Sequence, residues 1–380
     1  MMRVTIVVTH LLGTGHLARA LTLGRAFVAA GDQVTLLSGG VAVPHFDSTG
    51  IDLIQLPPLR SNGTDFATLL TDKGETAKPE YLARRQAILL DHATASAPDV
   101  VITELFPFGR RVLKAEFQAL LDAVADLPDR PLILSSVRDI LAPPSKPSKV
   151  TLAEDLIDRF YDAVLVHSDP AIVPLDRSWP VSDQLRPKLC YTGFVAPQPP
   201  PLDVAPRPEI VVSAGGGTDI GGAVFNAACA AARADRDHTW RLRVGGEAHR
   251  RKALAATAPP NMSVEPPQPD FRAVLARAAV SVSMCGYNTA LDVLQTGVPA
   301  VFIPFDDGAE VEQALRADAL AALPSIAVIR QAELTGAALA EAVHTLAQGD
   351  RRAPKTDGMD GAAQSVRRVH QLKAGGMDAK

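Results

Sequence analysis

The chain has 380 residues, of which 47% are apolar, 21% charged and only 5% aromatic. This length predicts two or three domains with their own cores, and excludes a disulfide mini-protein, a disordered chain and a collagen-like repeat. The net charge of −4 argues against a general nucleic-acid binder. The three cysteines lack metal-ligand spacing, so we expect a reducing compartment and no structural zinc.

The first predicted strand, residues 4–8, is too short for the apolar core of a secretory leader. No segment approaches the ~20 apolar residues of a spanning helix, so we expect a cytoplasmic protein, with peripheral membrane contact left open. Helical patterns then alternate with further apolar runs, which predicts a parallel, doubly wound sheet. The predicted strands are 34–37, 51–56, 100–103, 132–135, 163–166 and 189–191, and the helices are 17–30, 80–95, 110–125 and 152–161.

A capping box, Thr151-Leu-Ala-Glu154, predicts the start of the last of these helices. Residues 197–208 then hold six prolines, which favour a semi-rigid extended linker. Strand patterns resume at 210–213, 241–244, 262–264, 280–283, 300–303 and 326–329. We therefore predict an α/β protein with two Rossmann-like domains, 1–196 and 209–357, a hinge at 197–208, and a helical tail at 358–380 that returns to the first domain.

Ligands of open α/β sheets bind beyond the carboxyl ends of the strands. After the first strand, Gly13-Thr-Gly15-His16-Leu-Ala18-Arg19 fits the loose dinucleotide pattern, but the next strand ends in Ser38-Gly39-Gly40 without the acid that NAD requires. His16 at a helix N-terminus should be neutral and able to take a proton. A histidine that only caps the helix would also occupy this position. Arg19, one turn later, is a candidate for meeting an anion.

Two more loops follow strands in the second half of the chain. Ser213, Gly215, Gly216, Gly217 and Thr218 form an anion cradle, with Arg243 after the next strand. No Gly-Lys-Ser/Thr follows, so this is not a P-loop. A later helix opens with Cys285, Gly286, Tyr287, Asn288 and Thr289 and carries Asp292. After the following strand come the carboxylate of Asp306 and the amide of Gln313, which suit the hydroxyl groups of a sugar. Cys285 has no neighbouring His/Asn pattern, which favours a buried apolar role.

Together these motifs resemble the GT-B glycosyltransferases, in particular family 28 and the bacterial predicted glycosyltransferases related to the peptidoglycan N-acetylglucosaminyltransferase. The resemblance covers nearly the whole chain. It is strongest at Cys285-Gly286, Asp292, Gly297-Val-Pro299, Pro304-Phe305 and Gln313, with the Gly13–Arg19 loop and Phe106-Pro-Phe-Gly109 matching the bacterial group. Asp292 replaces the family's ribose-binding Glu, Cys285 replaces a Ser beside the diphosphate, and Gln313 matches a sugar-contacting Gln.

The resemblance implies two facing sheets, with the acceptor on the first domain and a nucleotide diphosphate sugar on the second, the UDP-linked form being expected. It implies inverting transfer with no metal and no cofactor. Gly15 and Arg19 would join the nucleotide-sugar site. His16 is the expected base, with Glu104, after the strand 100–103, as second choice. The uracil is expected near residues 266–271. A nucleotide-sugar hydrolase with the same Gly-His-x-x-Arg loop, or a catalytically idle nucleotide-sugar-binding protein, remain alternatives.

Overall fold

The computed structural model describes residues 1–62, 65–201, 207–213, 222–245, 248–268, 271–306 and 311–375. In chain order the strands are β1 (Arg3–Val8), β2 (Gln33–Ser38), β3 (Ile51–Gln55), β4 (Arg60–Asn62), β5 (Asp65–Leu70), β6 (Val100–Glu104), β7 (Leu132–Arg138), β8 (Ala163–His167), β9 (Leu189–Tyr191), β10 (Glu209–Ser213), β11 (Thr239–Arg243), β12 (Met262–Glu265), β13 (Val280–Ser283), β14 (Ala300–Phe302) and β15 (Ile326–Val328). The α-helices are α1 (Gly15–Ala29), α2 (Pro79–Ala95), α3 (Lys114–Ala125), α4 (Pro147–Phe160), α5 (Gly222–Ala234), α6 (Ala248–Thr257), α7 (Phe271–Arg277), α8 (Tyr287–Thr296), α9 (Glu312–Leu320), α10 (Gly336–Gln348) and α11 (Gly361–Lys373).

The chain forms two compact units, one of residues 1–195 with the chain from Asp360 onward, the other of residues 196–359. In the first unit seven parallel strands run in the order β3-β2-β1-β6-β7-β8-β9. The central strands β1, β6, β7 and β8 are almost fully buried, as expected of a parallel sheet covered on both faces, whereas the edge strands β3 and β9 are partly exposed. Strand order reverses between β1 and β6, so this unit has its topological switch point there.

Helix α11 returns to the first unit and packs against α1. Its His370 Nε2 lies 2.7 Å from Asp32 Oδ2, while Asp32 Oδ1 accepts a hydrogen bond from the amide of Met2. Val366 and Val369 of α11 are buried in the same apolar cluster as Leu17 and Phe27 of α1. The end of the chain is therefore part of the core of the unit that holds its beginning.

One local prediction needs correction, and one pair of strands was not predicted. The capping box is wrong: α4 begins at Pro147, and Thr151 lies one turn inside it, with its hydroxyl 3.5 Å from the carbonyl of Pro147. Proline at the first position of a helix was the stronger start signal. The antiparallel hairpin β4–β5 was not predicted, because β4 has only three residues and is polar.

In the second unit six parallel strands run in the order β12-β11-β10-β13-β14-β15. Its switch point lies between β10 and β13, whose last residues Ser213 and Ser283 are register partners. An apolar cluster that includes Trp240 and Val282 fills the core. The predicted α/β class with two parallel sheets is thus confirmed. Within the described ranges no helix is long and apolar enough to cross a membrane.

Candidate active site

The two catalytic candidates of the first unit meet at its switch point. His16 is the second residue of α1, which follows β1, and Glu104 ends the neighbouring strand β6. Val7 of β1 is level with Thr103 of β6, so the two carboxyl ends lie side by side. His16 Nδ1 is 2.9 Å from Glu104 Oε1, and the two residues therefore form a hydrogen-bonded pair.

Arg19 joins this pair from the next turn of α1. Its guanidinium forms an ion pair with Glu104 Oε1, and Nη2 lies 3.4 Å from His16 Nδ1. The side chains of Arg19 and Glu104 are 5% and 3% exposed, whereas that of His16 is 12% exposed. Arg19 was predicted to meet an anion, and the anion it contacts here is the Glu104 carboxylate. Of the three, His16 is the one solvent reaches most readily.

Burial, more than the neighbouring charges, sets the protonation state of His16. Burial by itself would raise the pKa of Glu104, but Arg19, His16 and Arg110 lower it to about 2. Burial lowers the pKa of His16 to about 3, against the opposing pull of Glu104. At neutral pH the ionised Glu104 only accepts hydrogen bonds, so Nδ1 of the neutral imidazole donates and Nε2 keeps its lone pair. A base supported by a carboxylate results.

Another histidine near the ends of these strands has a different environment. His167, at the end of β8, is fully buried, with Nε2 2.8 Å from Ser136 Oγ and Nδ1 2.9 Å from Thr192 Oγ1. Burial lowers the pKa of His167 to about 3. Because both ring nitrogens are engaged with buried hydroxyls, His167 links three elements of the core and is not open to a substrate.

In the second unit, the N-terminus of α8 is the clearest anion-binding feature. Gly286 caps the helix in an extended conformation, and a Cβ built on it would find no atom within 4 Å. Tyr287, Asn288 and Thr289 form the first turn, whose amide groups and helix dipole favour a negative ligand. Ser213 ends the neighbouring β10 and is buried, but Gly215, Gly216, Gly217 and Thr218 lie outside the described residues.

The thiol of Cys285 is fully buried, so a nucleophilic role is disfavoured. Its carbonyl accepts a hydrogen bond of 2.9 Å from Arg316 Nη1 of α9. The same guanidinium lies 5.8 Å from the centre of the Tyr287 ring. Arg316 thereby fixes the turn from β13 into α8, and Cys285 contributes its backbone to that turn.

Asp292 lies on α8, little more than a turn beyond these amides, with 17% of its side chain exposed. Burial raises its pKa to about 7, although Arg272 Nε, 3.8 Å away, pulls in the other direction. Gln313 Oε1 of α9 accepts a hydrogen bond of 3.2 Å from the amide of Phe305, next to the half-buried Asp306. Polar groups thus follow both β13 and β14, although no contact joins Asp292 to Gln313 here.

Arg243 ends β11 beside Glu265 at the end of β12, and its Nη1 lies 2.6 Å from Glu265 Oε2. Its charge is therefore paired within its own sheet. An Asp-x-Asp pair, Asp235 and Asp237, precedes β11, but Asp235 accepts from the amide of Asp237 and from Trp240 Nε1. Over the described ranges no three His, Cys, Asp or Glu side chains come together as a metal ion would require.

The sequence nominated His16, Glu104 and Asp292 as candidates, but it did not predict the contact of His16 with Glu104 or that of Asp292 with Arg272. The His16–Glu104 contact depends on β1 and β6 being neighbours, which their separation along the chain does not reveal. Arg272 was missed because residues 266–271 were expected to lie beside a uracil, and α7, which carries Arg272, begins within that segment at Phe271. The Gly-His-x-x-Arg spacing was an available signal for the third partner, since residues three apart share one helix face.

Residues 246–372 match the family model "Glycosyltransferase family 28 C-terminal domain". A relative from Lactiplantibacillus plantarum, the UDP-N-acetylglucosamine--N-acetylmuramyl-(pentapeptide) pyrophosphoryl-undecaprenol N-acetylglucosamine transferase, is 30% identical over 148 residues. That match spans 37% of this chain and 40% of the relative, which is less than half of each.

Solved structures match over almost the full length. MurG of Acinetobacter baumannii has a TM-score of 0.65 at 17% identity, covering 99% of this chain and 100% of that one. A UDP-glucosyltransferase from Polygonum tinctorium capable of glucosylating indoxyl has a TM-score of 0.67 at 14% identity, covering 98% of both chains. At these identities the likeness establishes the fold. The chain therefore has the GT-B fold of these glycosyltransferase structures, and residues 246–372 are similar to the C-terminal domain of glycosyltransferase family 28.

Proposed function

We propose that this protein transfers a sugar from a nucleotide diphosphate sugar, UDP-linked, to an acceptor hydroxyl with inversion and without a metal. The single observation that carries the proposal is the His16–Glu104–Arg19 trio at the switch point of the first sheet. A neutral imidazole oriented by a buried, ionised carboxylate is an arrangement that supports general-base catalysis. We place the reaction in the cytoplasm and specify the acceptor only by its hydroxyl group.

The donor is assigned to the second unit. The N-terminus of α8, from Gly286 to Thr289, offers amide groups to a diphosphate, and Asp292 offers a carboxyl group to the ribose diol. The L. plantarum relative and the P. tinctorium enzyme are both named for a UDP-linked donor, which supports UDP over other nucleotides. Gly215–Thr218, Ser213 and Asp306 with Gln313 complete the proposed donor site, as the family resemblance implies.

In the proposed reaction, His16 Nε2 takes the proton of the acceptor hydroxyl as its oxygen attacks the anomeric carbon. The bond from that carbon to the diphosphate oxygen breaks, and the nucleoside diphosphate leaves with the electron pair. Glu104 stabilises the imidazolium through Nδ1–H, and the dipole of α8 stabilises the developing charge on the diphosphate. Arg19 keeps the Glu104 carboxylate ionised and in place.

A water molecule in place of the acceptor would make the same trio a nucleotide-sugar hydrolase. The geometry of His16 and Glu104 serves either nucleophile, so the two activities have to be separated by experiment. Incubating a UDP-sugar alone distinguishes them, because a hydrolase releases free sugar and UDP at catalytic rates and a transferase does not.

The first test is a thermal-shift screen with UDP, TDP, ATP and NAD. We expect UDP to raise the melting temperature and NAD and ATP to leave it unchanged, because stabilisation follows ligand occupancy of the native state. A shift with NAD alone, or with none of the nucleotides, would overturn the donor assignment. Binding of UDP with no turnover of any UDP-sugar would indicate an idle binding protein.

A further inference from the structure

The buried Arg85 of α2 contacts the loops at the carboxyl end of the first sheet. It is 0% exposed, and Glu116 of α3 holds it through two bonds, 2.7 Å from Nε to Oε2 and 3.1 Å from Nη2 to Oε1. Its remaining donors go to the carbonyl of Gly39 at 2.9 Å, the carbonyl of Pro57 at 2.6 Å and the hydroxyl of Thr9 at 2.9 Å. All five guanidinium N–H groups are thus engaged.

These partners connect three strands. Thr9 follows β1, Gly39 follows β2 and Pro57 follows β3, so Arg85 ties together three consecutive carboxyl ends of the sheet. The site is also closely packed, since a Cβ on Gly39 would lie 2.0 Å from Arg85 Nη2 and 2.3 Å from Thr9 Oγ1. Gly39 is therefore a glycine because Arg85 and Thr9 fill the space that a side chain would need.

Thr9 begins the loop that leads to His16. Its carbonyl accepts a 2.6 Å hydrogen bond from Arg110 Nε, and the next residue, His10, lies with Nε2 3.0 Å from the carbonyl of Val41. The carbonyl of Leu11 accepts bonds of 2.9 Å and 3.1 Å from the amide and hydroxyl of Ser61. The loop is fixed at three consecutive residues and is exposed from Leu12 to Gly15.

From this arrangement we infer that Arg85, held by Glu116, is a positioning residue for the proposed base. It acts through Thr9, setting where the loop enters α1 and thereby the direction in which His16 presents Nε2. The inference rests on the proposed function for its catalytic consequence. A displacement of about 1 Å at a reacting group can lower the rate about 100-fold. Loss of the Thr9 hydroxyl, seven residues before His16, can therefore lower the rate if it shifts the loop.

The test removes one bond without opening a cavity. Thr9→Val deletes the hydroxyl that Arg85 contacts, and Thr9→Ser keeps it. Thr5→Val is the matched control, because Thr5 lies on β1 with the same 1% exposure and only a 3.4 Å contact to Ser96 Oγ. Each variant is measured for turnover of a UDP-sugar and for hydrogen exchange of the backbone amides of residues 10–16.

We expect Thr9→Val to lower kcat about tenfold or more while the KM for the nucleotide sugar stays within about twofold. Exchange in residues 10–16 should accelerate in Thr9→Val alone, and Thr9→Ser should restore both kcat and slow exchange. Equal kcat in Thr9→Val and Thr5→Val would overturn the inference. If the parent protein turned over no nucleotide sugar, the proposed function would fail, and the exchange comparison alone would decide whether Arg85 fixes this loop.

Discussion

His16 and Glu104, 88 residues apart in the chain, meet through a 2.9 Å contact between Nδ1 and Oε1. The contact exists because β1 and β6 are neighbours at the point where the strand order reverses. Ligands of open α/β sheets bind at such points. The trio that these two residues form with Arg19 therefore lies at the position where open α/β sheets bind their ligands. The protonation states of its three side chains follow from burial and charge.

Replacing Glu104 by Gln keeps the shape of the side chain but removes its charge. Arg19 would then be a buried cation without its carboxylate, a change that costs about 3–5 kcal/mol of unfolding free energy. Turnover should fall at the same time, because the negative charge that stabilises the imidazolium would be lost. Urea unfolding and donor-consumption assays measure the two effects. Asp122→Asn, which breaks the exposed pair with Arg159, is the control and should cost about 1 kcal/mol or less. A similarly small loss in Glu104→Gln would contradict the account of the trio.

Stability should depend on pH through His16 and His167, whose pKa values burial lowers far below the ordinary value. The folded pKa of His16 and of His167 is about 3 against an ordinary value of 6.5, so below pH 6.5 the unfolded chain binds protons that the folded one does not. The contribution of these histidines to the free energy of unfolding is therefore fully present above pH 6.5. It falls as the pH drops towards 3, by on the order of 1.4 kcal/mol per pH unit for each histidine. Glu104 contributes in the same direction, between 4.5 and about 2.

Urea unfolding at pH 7.5 and pH 5 measures this slope. His167→Gln should flatten it, since an amide can keep hydrogen bonds to Ser136 and Thr192 without taking up a proton. His45→Gln, at an exposed position, should leave the slope as it is in the parent protein. An unchanged slope in His167→Gln would show that the buried ring is not the source.

Asp292 should make nucleotide binding sensitive to pH near neutrality. Burial raises its pKa to about 7, so the carboxylate fraction grows between pH 6 and pH 8, and the carboxylate is the better acceptor for a ribose diol. Titration calorimetry should show UDP binding more tightly at pH 8, and Asp292→Asn should bind less tightly and lose the part of the pH dependence that Asp292 contributes. The exposed Asp318→Asn on α9 is the control. Equal affinities in Asp292→Asn and the parent protein at pH 8 would remove Asp292 from the donor site.

Gly39→Ala should be strongly destabilising. The added Cβ would lie 2.0 Å from Arg85 Nη2, and Arg85 cannot move without breaking its bonds to Glu116 and Thr9. Overpacking of this kind costs about 1–3 kcal/mol or more. Gly222→Ala, where a Cβ has no neighbour within 4 Å, is the matched control for thermal unfolding. Equal melting temperatures in the two variants would mean that the Arg85 site can relax.

The alternation of short apolar runs with helical patterns was enough to predict two parallel sheets, because buried parallel strands and amphipathic helices leave strong local signals. Strand order leaves none, so the pairing of His16 with Glu104 and the contacts of Arg85 could not be predicted from the sequence. The capping box at Thr151 failed for a local reason, since Pro147 offered a competing helix start. The ion pair of Arg19 with Glu104 depends on the same neighbouring strands, although the Gly-His-x-x-Arg spacing already placed Arg19 on the helix face of His16.

The role of His16 as the base of a sugar transfer is tested by a single experiment. It compares UDP-sugar consumption and UDP binding in His16→Ala and in the exposed control His45→Ala. General-base catalysis contributes about 10²–10⁴-fold, so the account predicts a loss of that size in His16→Ala, with UDP affinity unchanged and His45→Ala as active as the parent. Full turnover in His16→Ala with normal UDP binding would contradict it.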